Sequence, residues 1–294
     1  MRKEVGWELY RSFLGVLSEG SLSGAARLLG ITQPTVGRHI SALETSLGFA
    51  LFTRSQAGLL PTEAALSLRT YAEAMSSTAA ALQRAAASQG AGVKGTVRVS
   101  ASEVVGAELL PPILGEIRDQ HPELTIELVL TNRVQDLLRR EADIAVRMTP
   151  PRQGALVAKR VDPVTLGLHA HRSYLALRGT PRNSAELERH SLIGFDVETP
   201  FLRAARKALP MWTREAFSLR TDSDLAQLAL IRSGCGIGVC QVAIAKRDPS
   251  LVRVMARQFE FKLETWVTMH EDLRSSPRCK VTFDALVRGL TDGG

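Results

Sequence analysis

The chain has 294 residues, 45% of them hydrophobic, with a net charge of +7 at neutral pH. That length suits two domains with large cores, and the composition excludes a disordered or fibrous chain. Residues 1–62 carry six Lys/Arg against four Asp/Glu, 63–163 twelve against twelve, and 164–294 nineteen against fourteen, so the positive excess gathers late and assigns no nucleic-acid partner by itself.

The first residues are charged and lack an apolar run of signal-peptide type, and no stretch is long enough to span a bilayer. A cytoplasmic protein is expected. Residues 7–17 place Trp7, Tyr10, Phe13, Leu14 and Leu17 on one helical face. Two further helical patterns flank a turn at Gly30-Ile31. Ser21 suits the N-cap of the first, and Ala25, Ala26, Leu28 and Leu29 give it an apolar side. Gly30 suits the left-handed position past a helix end. Thr32 caps the second helix, and Pro34 falls in its first turn, where a missing N–H costs nothing. Val36, Ile40, Leu43 and Leu47 form its apolar stripe. Gln33, Gly37 and Ser41 lie opposite, flanked by Thr35 and Arg38. A helix buried on one side and carrying Gln, Thr and Arg on the other can read base edges, Arg at guanine and Gln at adenine. An ordinary amphipathic pair in a bundle is the competing reading. Two short extended segments, 51–54 and 59–62, then surround Ser55-Gln56-Ala57-Gly58 as a hairpin wing with Arg54 at its entry.

Residues 62–89 lack Pro and Gly. Thr62 can cap them, and Ala64, Leu68, Tyr71, Met75, Thr78, Leu82 and Ala85 alternate at four and three residues, the a and d positions of three heptads. Alone, such a helix exposes its stripe, so a paired helix is favoured over a core helix. Residues 89–95 (QGAGVKG) read as a hinge. Strands follow at 96–101, 125–130 and 144–148, with helices at 109–118 and from Asn132 through Arg140, so a mainly parallel sheet is expected. A second unit places strands at 164–170, 191–195, 217–220, 236–240 and 263–269, a helix capped by Asp222, another after the 236–240 strand, and a final helix at 280–290.

The N-terminal stretch resembles the DNA-binding region of LysR-type transcriptional regulators. The matching residues are Phe13, Val16, Gly20-Ser21, Ala25-Ala26, Leu28, Thr32-Gln33-Pro34, Val36, Arg38, Ile40, Leu43-Glu44, Leu47-Gly48, Leu51-Phe52, Arg54 and Pro61-Thr62, in order and without a gap. Gly37 stands where the family usually has Ser, and Ala65 where it often has Gly. The two α/β units resemble the family's effector domain, which is built like a periplasmic binding protein. The fold class implied is α/β: an N-terminal winged helix-turn-helix over 1–62, a dimerisation helix over 63–90, and a two-lobed effector domain over 91–294. Lobe I would take 91–161 and 269–294, and lobe II 162–268. The resemblance implies double-stranded operator DNA, a small-molecule effector, a second copy of the chain (homodimer or dimer of dimers) and RNA polymerase as partners, with no membrane, no cofactor and no catalysis. The DNA-binding set is Ser21, Thr32, Gln33, Pro34, Thr35, Arg38, Ser41 and Arg54.

In a two-lobed α/β domain, ligands bind where strand C-termini and helix N-termini converge. Ser100, Ser102 and Glu103 end one strand, Asn132 follows another, Arg147 ends a third, and Thr221, Asp222 and Ser223 precede a helix. These are the candidate effector-binding residues, suited to a small polar, anionic molecule, although Glu103 opposes a purely anionic one. Asn132 and Asp222 serve equally well as plain helix caps. His169 and His171 share a strand face but lack a third metal ligand nearby, so two partly exposed strand histidines are expected. Gly234-Cys235-Gly236-Ile237-Gly238 precedes a strand instead of following one, and reads as a turn and not a dinucleotide fingerprint. Cys235 and Cys240 are close enough in sequence for a redox pair, but with Cys279 they are expected as buried, inert thiols. No phosphate loop, nucleophile elbow or HExxH motif is present. The alternatives are a two-lobed small-molecule-binding protein without DNA function, and an α/β enzyme.

Overall fold

The computed structural model describes residues 5–55, 58–87, 92–132, 141–151 and 156–291, the side chains of 85 and 87 excepted. Gln56 and Ala57 of the expected wing turn, part of the 89–95 hinge and nearly all of the 132–140 helix lie outside these residues, as does the Ala85 side chain. The chain forms two units, one over 1–86 with 139–141 and one over the rest.

The first unit opens with α1 (Trp7–Glu19), α2 (Leu22–Leu29) and α3 (Gln33–Leu47). Their ends follow local chemistry. Ser21 Oγ accepts the Gly24 N–H at 3.1 Å, Thr32 Oγ1 accepts that of Thr35 at 3.4 Å, and Gly30 closes α2 at φ +68°. Phe13, Val16, Ala25, Val36, Ile40 and Leu43 are buried together. Ser12 Oγ meets His39 Nδ1 at 2.7 Å, tying α1 to α3. Strands β1 (Phe52–Ser55) and β2 (Gly58–Pro61) pair antiparallel, Arg54 opposite Leu59. Glu44 Oε1 accepts the Leu51 and Phe52 N–H groups at 2.7 and 3.3 Å, fixing the wing to the end of α3. The Leu59 N–H donates to the Gly20 carbonyl at 2.8 Å, and a Cβ on Gly58 would lie 2.7 Å from that oxygen, so only glycine lets the wing approach. Helix α4 (Glu63–Ala87) starts on Thr62, whose Oγ1 accepts the Ala65 N–H at 3.2 Å. Ala65 and Ala72 are buried with Leu68 packed beside them, whereas Tyr71, Met75 and Leu82 are 66, 43 and 72% exposed.

The second unit begins with β3 (Gly95–Ala101), a π-helical turn at Val105–Leu109, α5 (Leu110–Gln120), β4 (Leu124–Leu130) and β5 (Ile144–Arg147). Then come β6 (Leu156–His171), α6 (Arg172–Arg178), α7 (Ser184–Leu187), β7 (Leu192–Gly194), α8 (Pro200–Ala205) and β8 (Phe217–Arg220). It ends with α9 (Asp224–Arg232), β9 (Gly238–Gln241), α10 (Val242–Lys246), β10 (Leu251–Val254), β11 (Phe261–His270) and α11 (Pro277–Thr291). One seven-stranded sheet runs β10-β6-β11-β5-β3-β4, with β9 also on β6. The parallel pairing expected from the β-α-β pattern holds for β4-β3-β5 and β7-β8. The other pairs of this sheet are antiparallel; β6 runs out of one lobe and β11 runs back into it, paired from Leu166↔Phe261 to Leu156↔His270.

The strand expected at 164–170 is thus only the second half of β6. Asp162-Pro163 reads as a break, yet the register shifts between Leu263 and Thr265 of β11 opposite that point, so Pro163 sits at a bulge, where the ladder tolerates a missing N–H. In lobe I, Val97, Val99, Ile144, Val146 and Val267 are buried with Ile113 and Ile117 of α5 and Phe283 and Leu286 of α11. In lobe II, Trp212, Phe217 and Phe259 anchor a separate core, with Trp212 and Phe217 edge to face at 5.0 Å.

Candidate nucleic-acid interface and effector cleft

The α3 surface divides as its sequence requires. Val36, Ile40 and Leu43 face the core, while Gln33, Pro34, Arg38 and Ser41 are exposed and Thr35 is half-buried. Thr32 and Thr35 hydroxyls meet at 2.8 Å, and Arg38 Nη2 donates to Thr35 Oγ1 at 3.3 Å. A hydroxyl pair at the helix start and a guanidinium one turn later therefore form one polar ridge. Backbone N–H groups in the first turn of a helix favour anions, and the ridge stands beside them on the exposed side of α3. Ser21 is half-buried and its hydroxyl caps α2. Arg54 is exposed on the wing. The structural role of Glu44 is not evident from its residue type; the signal is a carboxylate in the last turn of a helix that an extended segment follows directly.

Within the second unit, a cleft of about 240 Å³ opens where β3 and β5 end and α9 begins. Its apolar walls include Met148, Leu166, Phe195, Phe201, Val239 and Leu263, and its polar lining includes Ser102, Asn132, Arg147, Thr149, Asp224, Gln227 and Gln241. Phe201 is wedged edge-on between Phe195 at 6.3 Å and Phe261 at 5.4 Å. Of the residues expected there from sequence, Ser102, Asn132 and Arg147 line the cleft. Ser100 lies fully buried behind Arg147, accepting from its Nη2 at 2.6 Å. Glu103 Oε2 accepts from Ser223 Oγ at 2.9 Å, a bond between the two lobes. Thr221 Oγ1 accepts the Ser223 N–H at 3.3 Å. The helix expected to be capped by Asp222 is capped instead by Ser223, which accepts the Ala226 N–H; Asp222 Oδ1 takes the Asp196 and Val197 N–H groups. Asn132 Oδ1 accepts from the Glu103 N–H at 3.1 Å and its Nδ2 donates to Asp224 Oδ2 at 2.9 Å.

Burial lowers the Arg147 pKa to about 10. Burial, with the Glu103 charge beside it, raises that of Asp224 to about 6. Phe195, Phe201, Gln227 and Gln241 were not expected here, because they come from four separate segments of lobe II. A larger cavity of about 790 Å³ is lined by α5, α10, α11 and 162–165. His169 is 2% exposed, not partly exposed as expected, and its Nδ1 bonds the Gly167 carbonyl at 2.9 Å; burial lowers its pKa to about 4, so the ring is neutral. His171 caps α6. Among the described residues no cluster of His, Cys, Asp or Glu could hold a metal, and no helix is long and apolar enough to cross a membrane. Cys240 and Cys279 are buried and Cys235 half-buried; burial raises the Cys240 pKa to about 12, which leaves the thiol inert at neutral pH.

The family described as "Bacterial regulatory helix-turn-helix protein, lysR family" matches residues 7–66, and that described as "LysR substrate binding domain" matches 90–291. The chain belongs to the LysR family of transcriptional regulators. These regulators join a DNA-binding head to an effector-binding domain, and the two matches cover both parts. An HTH-type transcriptional regulator of Xanthomonas campestris is 30% identical over 178 residues, 60% of this chain and 52% of that one, so the match spans about half of that relative's length. CrgA of Neisseria meningitidis is 26% identical over 95% of each chain. Its solved structure covers 98% of this chain and 99% of its own at 24% identity, with a TM-score of 0.59. The structure of full-length CbnR complexed with its target DNA covers 98% of this chain and 100% of its own at 20% identity, with a TM-score of 0.67. Both structures bear on the fold.

Proposed function

We propose that this chain binds operator DNA as a homodimer or dimer of dimers, that α3 enters the major groove with Thr32, Gln33, Pro34, Thr35, Arg38 and Ser41, and that Ser21 and Arg54 contact the flanking backbone. The carrying observation is the ridge of Thr32, Thr35 and Arg38 on the exposed side of a helix whose other side is core. The stripe of Tyr71, Met75 and Leu82 on α4 serves the pairing. The domains divide at 1–62, 63–90 and 91–294. A small effector occupies the interlobe cleft against Ser102, Asn132 and Arg147, with Ser100, Glu103, Thr221, Asp222 and Ser223 around it. By favouring one interlobe angle it shifts the affinity for DNA, since a ligand regulates only through its difference in affinity between two states. RNA polymerase is the partner through which operator binding acts, and the cytoplasm is the site of action. The chain catalyses no reaction.

The test is a footprint of the pure protein on the DNA flanking its own gene. Two protected half-sites separated by one helical turn or a multiple are expected. No sequence-dependent protection there would remove the reading.

A further inference from the structure

The cleft holds two charges that no described residue neutralises. On the lobe I side, Arg147 is 9% exposed. Its Nη donors reach only neutral acceptors, Ser100 Oγ at 2.6 Å and the Val146 carbonyl at 2.9 Å, and its buried Nε has no partner. A buried guanidinium without a counter-ion is unfavourable. On the lobe II side, Asp224 faces the same cleft. Its carboxylate accepts from Asn132 and feels the like charge of Glu103, with no cation acting on it among the described residues. Gln241 also lines the cleft, and its buried side-chain oxygen lacks a donor. Among the described residues Arg147 and Asp224 do not pair with each other.

The site therefore offers an unmatched cation, an unmatched carboxylate and apolar walls in one cleft, with an unpartnered amide oxygen in its lining. A simple acid would leave Asp224 and Gln241 unmatched. A simple amine would leave Arg147 so. A neutral sugar would leave both charges unmatched. A volume of about 240 Å³ falls below the usual range for drug-sized ligands and restricts the occupant to a small molecule. Resting on the reading of this cleft as the effector site, we propose that it takes a small, apolar-bodied amino carboxylate, its carboxylate on Arg147 and its ammonium towards Asp224.

The test is calorimetric titration of the full chain with two matched sets: phenylalanine, 3-phenylpropionate and 2-phenylethylamine, then 6-aminohexanoate, hexanoate and hexylamine. In at least one set the zwitterion is expected to bind roughly tenfold or more tightly than both singly charged analogues, since each charge-assisted bond is worth about that factor. Asp224→Asn should erase its advantage over the acid, and Arg147→Gln its advantage over the amine. If the Gln variant does not fold, Arg147→Lys, which loses the forked geometry, should lower zwitterion affinity while sparing the amine. A singly charged compound binding as tightly as its zwitterion, failure of all six to bind, or a preference that survives Asp224→Asn would overturn the proposal. Operator affinity measured with the same compounds separates the two claims. A zwitterion that binds without changing it retires the effector reading and spares the ligand class. A singly charged compound that changes it, with the change lost in Phe201→Trp, spares the reading and retires the class.

Discussion

The apolar stripe on α4 makes a quantitative demand. Met75 is 43% and Leu82 72% exposed. Full burial of a Leu or Met side chain is worth about 1.5–3 kcal/mol. Scaled by the exposed fractions, pairing would draw roughly 2–3 kcal/mol from these two side chains in each protomer, and about 4–6 kcal/mol from both. Replacing both with Glu removes that contribution and sets like charges across the seam. The dimer should weaken by about 10³–10⁴-fold, at 1.4 kcal/mol per tenfold. The fold of each protomer should barely change, because exposed positions usually move stability by less than about 0.5 kcal/mol. Leu68 is unsuitable for this test because it packs on the head's own core. The assay places a cysteine at residue 75 of the full chain in a Cys235→Ser background, Cys240 and Cys279 being buried. Cross-linking between protomers at residue 75, and its loss when Leu82→Glu is added, are expected. Absence of cross-linking in the parent background would refute the paired helix.

Gly37 sits inside α3, and a Cβ there would meet only Leu22 Cδ1 at 3.7 Å. Gly37→Ala should therefore stabilise the head by up to about 1 kcal/mol, the propensity difference in a helix interior; a fall in its melting temperature would show that the added methyl is not accommodated. The Asp224 pKa stands at about 6 against a usual 3.8. A carboxyl whose folded pKa is raised favours the folded state when protonated, so stability should fall as pH rises through 4 to 6, by at most ~3 kcal/mol at 1.36 kcal/mol per unit. Denaturant titrations across that range should show Asp224→Asn lacking this loss, and parallel profiles for the two proteins would contradict it.

The head was legible because short-range chemistry sets it. Ser21, Thr32 and Thr62 cap the helices they were expected to cap, and the spacing of Val36, Ile40 and Leu43 marks the buried side of α3. Lobe II was less so. Its helices α6 to α8 are four to seven residues long, too short to show a period. The length of β6 was hidden by Pro163, which only the bulge opposite explains. The lobe I side of the cleft could be read from strand ends, which gave Ser102 and Arg147. Ser100 and Arg147 share one face of the sheet, but Arg147 covers Ser100, and sequence does not show which of two such residues is outermost. The opposite wall required the fold, since Phe201, Gln227 and Gln241 share no motif.

The central claim is that the exposed ridge of α3 reads DNA. Its most direct measurement is an equilibrium titration, at fixed salt, of wild type and Arg38→Ala against the footprinted operator and a scrambled duplex. Arg38 is exposed and off the apolar stripe, so the variant should fold as wild type does. It should bind the operator about 1–3 kcal/mol more weakly, a loss of roughly 5- to 150-fold, with a smaller loss on the scrambled duplex if Arg38 contacts a base. Equal operator affinity for the two proteins would contradict the account.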